Sequence, residues 1–170
     1  YEPKAHSISS GQVLACDYPY DKARLVLREM TDSLCLELAA RGLLTDSVHL
    51  YVGYSKKDGL PSAKGTIGLP FATGSAKLIG EHTDRLFERI VSRYAMVKRM
   101  TITFNNTVSD GCFQCNMFAD TAEMQGEKQM LTAVAEIKEK YGKNSILKAM
   151  DLEEGATAIE RNGQIGGHRA

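Results

Sequence analysis

The chain has 170 residues, 43% of them hydrophobic, and its 21 basic and 21 acidic side chains give a net charge of zero. This length suits one core of ordinary size and leaves little room for a second full domain. The sequence contains no apolar run of the roughly 20 residues that a membrane-spanning helix needs, no secretory leader, and no cysteine spacing typical of a disulfide scaffold. We therefore expect a soluble, cytoplasmic protein, and the opening Tyr1-Glu2-Pro3-Lys4 suggests a cut within a longer chain.

The charges are unevenly distributed along the chain. Residues 1–46 carry five basic and seven acidic side chains, a net of −2, whereas residues 47–107 carry nine and four, a net of +5. Residues 108–170 carry seven and ten, a net of −3. A positive middle is what a phosphate-binding surface needs, although arginines on the exposed face of a helix would give the same excess.

Hydrophobic spacing predicts a strand, a helix and a hairpin in the first 70 residues. Residues 5–10 are rich in hydroxyls and predict a short edge-like strand that ends at Gly11. Residues 21–41 repeat apolar side chains at intervals of three and four, with Glu29, Asp32 and Glu37 off the apolar stripe, which predicts an amphipathic helix that ends at Gly42. Residues 47–54 alternate as a half-buried strand, and a turn at 56–61 leads to a partner strand at 65–69.

A second helix and a strand with two distinct faces follow. Thr73 or Ser75 can cap the helix, and His82 falls within its apolar stripe as a packed core residue. The stripe consists of Leu78, Ile79, His82, Leu86, Ile90 and Tyr94. The strand at 97–104 places Met100, Ile102 and Phe104 on one face and Arg99, Thr101 and Thr103 on the other.

This order, β-α-β-β-α-β, predicts an α+β fold: a four-stranded sheet with both helices on one face and the other face open. Small donors and cations would line the open face, a composition that suits a phosphate backbone. They are Ser7, Ser9, Lys64, Thr66, Arg99, Thr101 and Thr103.

Beyond residue 107 the pattern weakens. We divide the chain into a folded domain at 1–107, a linker at 108–126 that exposes a short peptide for a protein partner, and a C-terminal helix and flexible tail at 127–170. The helix at 127–141 has a stripe of Met130, Leu131, Val134, Ile137 and Tyr141, and 144–149 could form a short strand. The later residues have no period, so we expect them to be poorly ordered.

Several segments resemble the C-terminal, little-finger region of a Y-family DNA polymerase of the UmuC/DinB type. The points of match are His-Ser-Ile-Ser-Ser at 6–10, Lys-Gly-Thr at 64–66, and Val-Lys-Arg-Met-Thr-Ile-Thr-Phe at 97–104. The closing Asn-Gly-Gln-Ile-Gly-Gly-His-Arg-Ala at 162–170 is similar to the ends of a UV-damage-repair subgroup. The resemblance implies a part in translesion synthesis during DNA damage repair and the SOS response.

The resemblance also implies a contact with DNA. The sheet would grip template and primer phosphates without reading bases, and three or four such contacts predict weak, strongly salt-dependent binding. Carried over residue by residue, the DNA-binding set is Ser7, Ser9, Ser10, Lys64, Thr66, Lys98, Arg99 and Thr101.

The peptide Gln114-Cys115-Asn116-Met117-Phe118 resembles the motif by which bacterial polymerases dock on the sliding clamp. Gln114 would hydrogen-bond, while Met117 and Phe118 would fill an apolar pocket. Cys115 stands where the motif has leucine, which implies weaker docking. The competing interpretation is that Phe118 packs the tail against the domain.

Catalytic chemistry is not predicted for this chain alone. Y-family polymerases use magnesium ions held by paired carboxylates of a palm domain, and the sequence has no such pair in a structured context. Cys112-x-x-Cys115 has no second ligand pair at zinc-site spacing, so we predict no metal site and no cofactor.

Two other classes share this order of elements. An RNA-recognition module would need aromatic side chains on its central strands, and residues 5–10 and 65–69 lack them. A ferredoxin-like regulatory domain would need an apolar ligand pocket between a helix and the sheet edge. Binding to duplex DNA, to single strands or to neither would distinguish the three.

Overall fold

The computed structural model describes residues 6–112 and 122–164. Its four strands are β1 (His6–Tyr18), β2 (Leu43–Tyr54), β3 (Ala63–Thr73) and β4 (Val97–Ser109). All pairings are antiparallel, and the strand order across the sheet is β1-β4-β2-β3. The predicted four-stranded sheet is confirmed, and each strand extends further than its own pattern indicated.

Four α-helices of the described residues accompany the sheet: α1 (Tyr20–Arg41), α2 (Ala76–Ile90), α3 (Ala122–Tyr141) and the short α4 (Ala158–Asn162). Gly42 ends α1 in the left-handed conformation, with φ of 60°, as predicted. The Ser75 hydroxyl caps α2 by accepting a hydrogen bond from the Leu78 amide at 3.2 Å. None of the described helices is both long and apolar enough to cross a membrane.

One face of the sheet packs against α1 and α2 and forms the core. Phe104, Ile102 and Met100 of β4 are fully buried there, as the alternation of that strand predicts. Val48, Leu50 and Val52 of β2 join them, and the helices contribute Val26, Leu27, Met30, Leu34, Leu38, Ile79, Leu86 and Phe87. Asp84 of α2 links the two helices by accepting hydrogen bonds from Arg24 and Arg28 of α1. The expectation of both helices on one face is confirmed.

The prediction that β1 ends at Gly11 is wrong. Gly11 lies inside the strand opposite Thr101, and pairing with β4 continues beyond it. A Cβ at Gly11 would lie 3.3 Å from the Thr101 hydroxyl oxygen, so the missing side chain gives room within the ladder. The length of β1 follows from the 13 residues of its partner β4.

The α2 stripe was predicted one turn too long. The helix ends at Ile90, and Tyr94, which we placed in the stripe, is 98% exposed. His82 is only half-buried, with Nδ1 2.9 Å from the Leu78 carbonyl oxygen of its own helix. Glu29, which we placed off the α1 stripe, is buried.

The α3 helix begins at Ala122, so the predicted linker overlaps β4 at one end and α3 at the other. The Glu127 carboxylate ties α3 to the start of α2, because it accepts hydrogen bonds from the Ser75 hydroxyl at 2.6 Å and the Lys77 amide at 2.9 Å. Leu131 is buried, but Met130, Ile137 and Tyr141 of the predicted stripe are exposed.

Residues 148–164, here called the C-terminal strap, pack along α1. The predicted strand at 144–149 is wrong: this stretch is a turn that leads into a 3-10 helix at Ala149–Leu152. Lys148 pairs with Asp32, and Glu154 pairs with Lys22 at 2.6 Å. The expectation of poor order is therefore wrong as far as residue 164, and residues 165–170 lie outside the described residues.

The buried carboxylate of Glu29 holds the strap most directly. It accepts hydrogen bonds from the Thr157 amide at 2.9 Å, the Ala158 amide at 3.1 Å and the Thr157 hydroxyl at 3.2 Å. Arg161 donates to the Gln12 side chain of β1 at 3.1 Å. These polar contacts join the strap to both α1 and β1. The sequence of the strap itself has no hydrophobic period.

Candidate nucleic-acid interface

Within residues 6–112 and 122–164, no helix covers the sheet face opposite α1 and α2. The strand registers align its side chains in three rows that run across the sheet. The rows are Ser9, Thr103, His49 and Thr66; Gly11, Thr101, Tyr51 and Lys64; and Val13, Arg99 and Gly53. We call this surface the open face. Its rows carry hydroxyls, a phenol, an imidazole and two cations, and none of their members is acidic.

The Arg99 guanidinium is held in a defined position on the open face. Its Nη2 donates a hydrogen bond to the Tyr51 hydroxyl at 2.9 Å, and its Cζ lies 5.3 Å from the centre of the Tyr51 ring. A Cβ on Gly53 would come within 2.8 Å of Arg99 Cγ and Nε, so glycine there makes room for this arrangement. Hydrogen bonds from Ser62 and Arg99 lower the pKa of Tyr51 below that of a free tyrosine.

The β3 side of the open face is also organised by side chains. His49 Nδ1 lies 2.9 Å from the Thr66 hydroxyl oxygen, directly across the β2–β3 pair. Arg89 of α2 reaches the sheet edge and donates to the Thr66 carbonyl oxygen at 3.0 Å. Lys64 lies on the edge strand β3, two residues before Thr66. It is exposed and pairs with Tyr51 of β2.

Most of the predicted DNA-binding residues share the open face, but two do not. Ser9, Lys64, Thr66, Arg99 and Thr101 lie in its rows, and exposed Ser7 precedes them along β1. Ser10 pairs with buried Ile102 and so belongs to the helix-covered face. Lys98 lies at a register shift near the start of β4, and its ammonium donates to the Ala15 carbonyl oxygen at 3.4 Å.

The predicted set omitted His49, Tyr51 and Gly53, which the structure places in the middle of the open face. The alternation of β2 contained the signal, since these three residues alternate with buried Val48, Leu50 and Val52. Their contribution is to position Thr66 and Arg99.

A separate groove of about 680 Å³ lies away from the open face, between the end of α1, the ends of β2 and β3, and α3. Leu43, Phe71 and Leu131 are among its apolar lining, and Lys128, which pairs with Asp110, lies at its polar side.

Two sequence motifs lie wholly or partly outside the described residues. The clamp peptide, Gln114 to Phe118, lies outside the described residues, as does Cys115 of the Cys112-x-x-Cys115 pair. Within the described ranges, no group of three or more histidine, cysteine, aspartate or glutamate side chains is arranged to hold a metal ion.

The solved structures that match part of this chain include two polymerase complexes. One is the complex of the β-clamp processivity factor with the little finger domain of PolIV. The match has a TM-score of 0.42 and a sequence identity of 14%, and it covers 58% of this chain and 86% of the solved chain. Another is the post-insertion binary complex of Dbh DNA polymerase, with a TM-score of 0.44 and 8% identity over 61% of this chain and 29% of that one.

Curated relatives match almost the whole chain in sequence. DNA polymerase IV 2 of Bacillus subtilis (strain 168) is 28% identical over 164 residues, which are 95% of this chain and 39% of the relative. The putative UV-damage repair protein UvrX of the same strain is 29% identical over 170 residues. The match covers 96% of this chain and 39% of the relative. The chain thus spans about two fifths of the length of these relatives.

The family model of the impB/mucB/samB family C-terminal domain matches residues 5–117. This match covers all four strands and the helices α1 and α2. It confirms the resemblance to the C-terminal region of UmuC/DinB-type polymerases on which the site residues were predicted. The chain belongs to the impB/mucB/samB family and carries its C-terminal domain.

Proposed function

We propose that this chain is the DNA-binding, little-finger end of an error-prone translesion DNA polymerase. It grips template and primer phosphates without reading bases and docks on the sliding clamp through residues 114–118. Family membership and the names of the polymerase and UV-repair relatives support the class of protein. The DNA contact and the clamp contact are our inference for this chain.

The observation that carries the proposal is the composition of the uncovered sheet face. A phosphate backbone needs hydrogen-bond donors and positive charge, and it needs carboxylates to be absent. The three rows of the open face meet these requirements, because they contain the hydroxyl donors Ser9, Thr101 and Thr103 together with the cations Lys64 and Arg99. A damaged template offers an intact backbone even where its base edges are altered, so such a grip suits lesion bypass.

The arrangement of Tyr51 disfavours the RNA-recognition alternative. That alternative needs aromatic faces that are free to stack on bases. The aromatic side chains of the three rows are Tyr51 and His49. The Arg99 guanidinium lies over the Tyr51 ring, and His49 Nδ1 lies 2.9 Å from the Thr66 hydroxyl oxygen. The Tyr51 ring therefore supports a cation that can contact phosphate instead of offering its face to a base.

The groove beside α3 is the observation that favours the ligand-binding alternative. Its volume and its lining of Leu43, Phe71 and Leu131 are compatible with a small apolar ligand. The groove and the open face are separate surfaces, so substitutions in one leave the other unchanged and can distinguish the two functions.

Polymerase activity belongs to our proposal for the longer protein. The relatives include about three fifths of their length that this chain does not match, and we propose that the catalytic carboxylates and their magnesium ions lie there. This chain would contribute DNA affinity and processivity, and by itself it would be inactive.

The direct test is binding of the chain to fluorescently labelled primer–template DNA, measured by anisotropy between 50 and 200 mM salt. We expect similar affinity for unrelated sequences and a loss of affinity with salt of about one logarithmic unit per unit of log[salt] for each phosphate contact. Single-stranded RNA should bind more weakly. Equal retention of DNA at low and high salt would contradict a phosphate grip.

The matched comparison uses two double variants that remove the same charge. Lys64→Ala/Arg99→Ala removes both cations of the open face and should weaken binding strongly. Lys140→Ala/Lys143→Ala removes two exposed lysines at the end of α3 and should leave binding unchanged.

Clamp docking is tested by calorimetry with a bacterial sliding clamp. We expect the wild-type chain to bind and the Gln114→Ala/Phe118→Ala variant to lose binding while it keeps its affinity for DNA. If both chains bind the clamp equally, or neither binds, the peptide has another role, such as packing against the domain.

A further inference from the structure

We infer that DNA is held at one end of the open face, where β4 begins, and that the loop between β2 and β3 adds two phosphate ligands, Lys56 and Lys57. This inference rests on the proposed DNA-binding function and names where on the surface the backbone runs. It extends the site beyond the sheet to residues that the strand patterns did not select.

Antiparallel pairing brings several cations to the same end of the sheet. The end of β2 pairs with the start of β4, and the start of β3 lies beside them. The loop that joins β2 to β3 therefore projects from this end. The cations gathered here are Lys56, Lys57, Lys64, Lys98 and Arg99.

The opposite end of the sheet is acidic. Asp46 of β2 accepts hydrogen bonds from the Asn106 side chain at 3.0 and 3.1 Å. Asp110 follows β4 at the same end and pairs with Lys128 of α3. The open face is thus positive at one end and lies next to carboxylates at the other, so a polyanion is attracted to the end where β4 begins.

The carboxylates near the loop are turned to internal contacts. Asp58 accepts a hydrogen bond from the Met96 amide at 2.7 Å, and Asp17 accepts one from the Ser55 hydroxyl at 2.6 Å. The Ser55 amide donates to the Met96 carbonyl oxygen at 2.7 Å. These bonds fix both the loop and the segment before β4, so less conformational freedom is lost when the loop binds.

The two lysines of the loop remain available. Lys56 and Lys57 are exposed on a 3-10 turn, and neither forms an ion pair with a carboxylate of the described residues. The far side of the same loop leads into β3, where Lys64 pairs with Tyr51, the residue that holds Arg99. The loop and the Arg99 row therefore form one continuous basic surface.

The test compares four chains on the same primer–template duplex by anisotropy over the same salt range. They are the wild type, Lys56→Ala/Lys57→Ala, Lys64→Ala/Arg99→Ala, and the control Lys140→Ala/Lys143→Ala. We expect the loop variant to bind about tenfold more weakly at 50 mM salt and to reduce the salt slope by about two, since each lysine–phosphate contact contributes about one. A fifth chain, Lys56→Arg/Lys57→Arg, keeps both charges and should retain the wild-type affinity and slope.

Each other outcome has a distinct meaning. If the loop variant keeps the wild-type affinity and slope while Lys64→Ala/Arg99→Ala loses them, the inference is wrong and the proposed function stands. If the control weakens as much as the loop variant, the effect is one of total charge, which also overturns the inference. If the wild type binds no DNA at low salt, the proposed function itself fails. Circular dichroism of each variant verifies the fold.

Discussion

The two faces of the sheet are built from alternate residues of the same strands, yet they have different physical roles. On β4, Phe104 is fully buried beneath the helices, whereas its neighbour Thr103 lies in a row of the open face. One face excludes water, and the other presents donors to water. Stability and binding can therefore be changed separately by substitutions only one residue apart.

The largest expected effect comes from the helix-covered face. Phe104→Ala should reduce the free energy of unfolding by about 3–5 kcal/mol, because it removes a fully buried ring and leaves a cavity. Urea unfolding measures this loss. The matched variant Thr103→Ala should change stability by less than about 0.5 kcal/mol. Similar losses of unfolding free energy in the two variants would mean that Thr103 of the open face stabilises the fold as much as Phe104 of the core.

Next in size is the attachment of the strap to α1. Glu29→Gln should cost about 1–3 kcal/mol, because an amide NH₂ would replace one of the two oxygens that accept hydrogen bonds at Thr157 and Ala158. Hydrogen exchange should accelerate at these two amides. The control Glu153→Gln changes an exposed residue of the strap and should have no effect. Unchanged exchange in the Glu29 variant would show that the strap is held by other contacts.

A smaller, pH-dependent effect is expected at the junction between α1 and α2. Burial raises the pKa of Asp84, but hydrogen bonds from Arg28 and Arg24 outweigh it and hold the pKa below that of a free aspartate. The stabilisation by Asp84 is therefore complete above the pKa of the unfolded chain and is lost as the pH falls through the lower native value.

Asp84→Asn should lower stability by about 1 kcal/mol at pH 7, and the difference from wild type should shrink below about pH 4. Urea unfolding at pH 7 and at pH 3 measures both quantities. The control Glu81→Gln on the exposed side of α2 should show a smaller change with pH. A difference that grows as the pH falls would contradict the stated sign.

The smallest expected effect is on the open face itself. Tyr51→Phe removes the hydroxyl that Arg99 contacts but keeps the ring beneath the guanidinium. Stability should change by less than about 0.5 kcal/mol, whereas affinity for primer–template DNA should fall about twofold to threefold as Arg99 gains freedom. Tyr141→Phe, an exposed tyrosine of α3, serves as the control in the same anisotropy assay. Unchanged affinity would mean that Tyr51 does not position Arg99.

The sequence predicted the sheet and the division of β4 between its two faces, because alternation is a local property of a strand. Strand ends were less predictable, since the length of β1 follows from pairing with β4 and not from its own hydroxyl-rich residues. The same limitation hid Tyr51: its role depends on Arg99, a partner 48 residues away.

The strap could not be predicted for a different physical reason. It is held by single polar contacts, such as those between Glu29 and Thr157, and such contacts leave no hydrophobic period in the sequence. Glu29 was itself misplaced, because a carboxylate on a helix is normally expected to face water. The distant amides of residues 157 and 158 and the Thr157 hydroxyl make its burial favourable, because they donate hydrogen bonds to the carboxylate.

The contact between Arg89 and the Thr66 carbonyl also bears on how copies of the domain behave together. β3 is an edge strand, and such strands offer free backbone groups to strands of other molecules. Arg89 occupies one of these groups, and Pro70 contributes no amide donor further along the same strand. Strand addition and edge-to-edge aggregation are thereby disfavoured at this edge, so copies of the domain can be crowded together without joining their sheets.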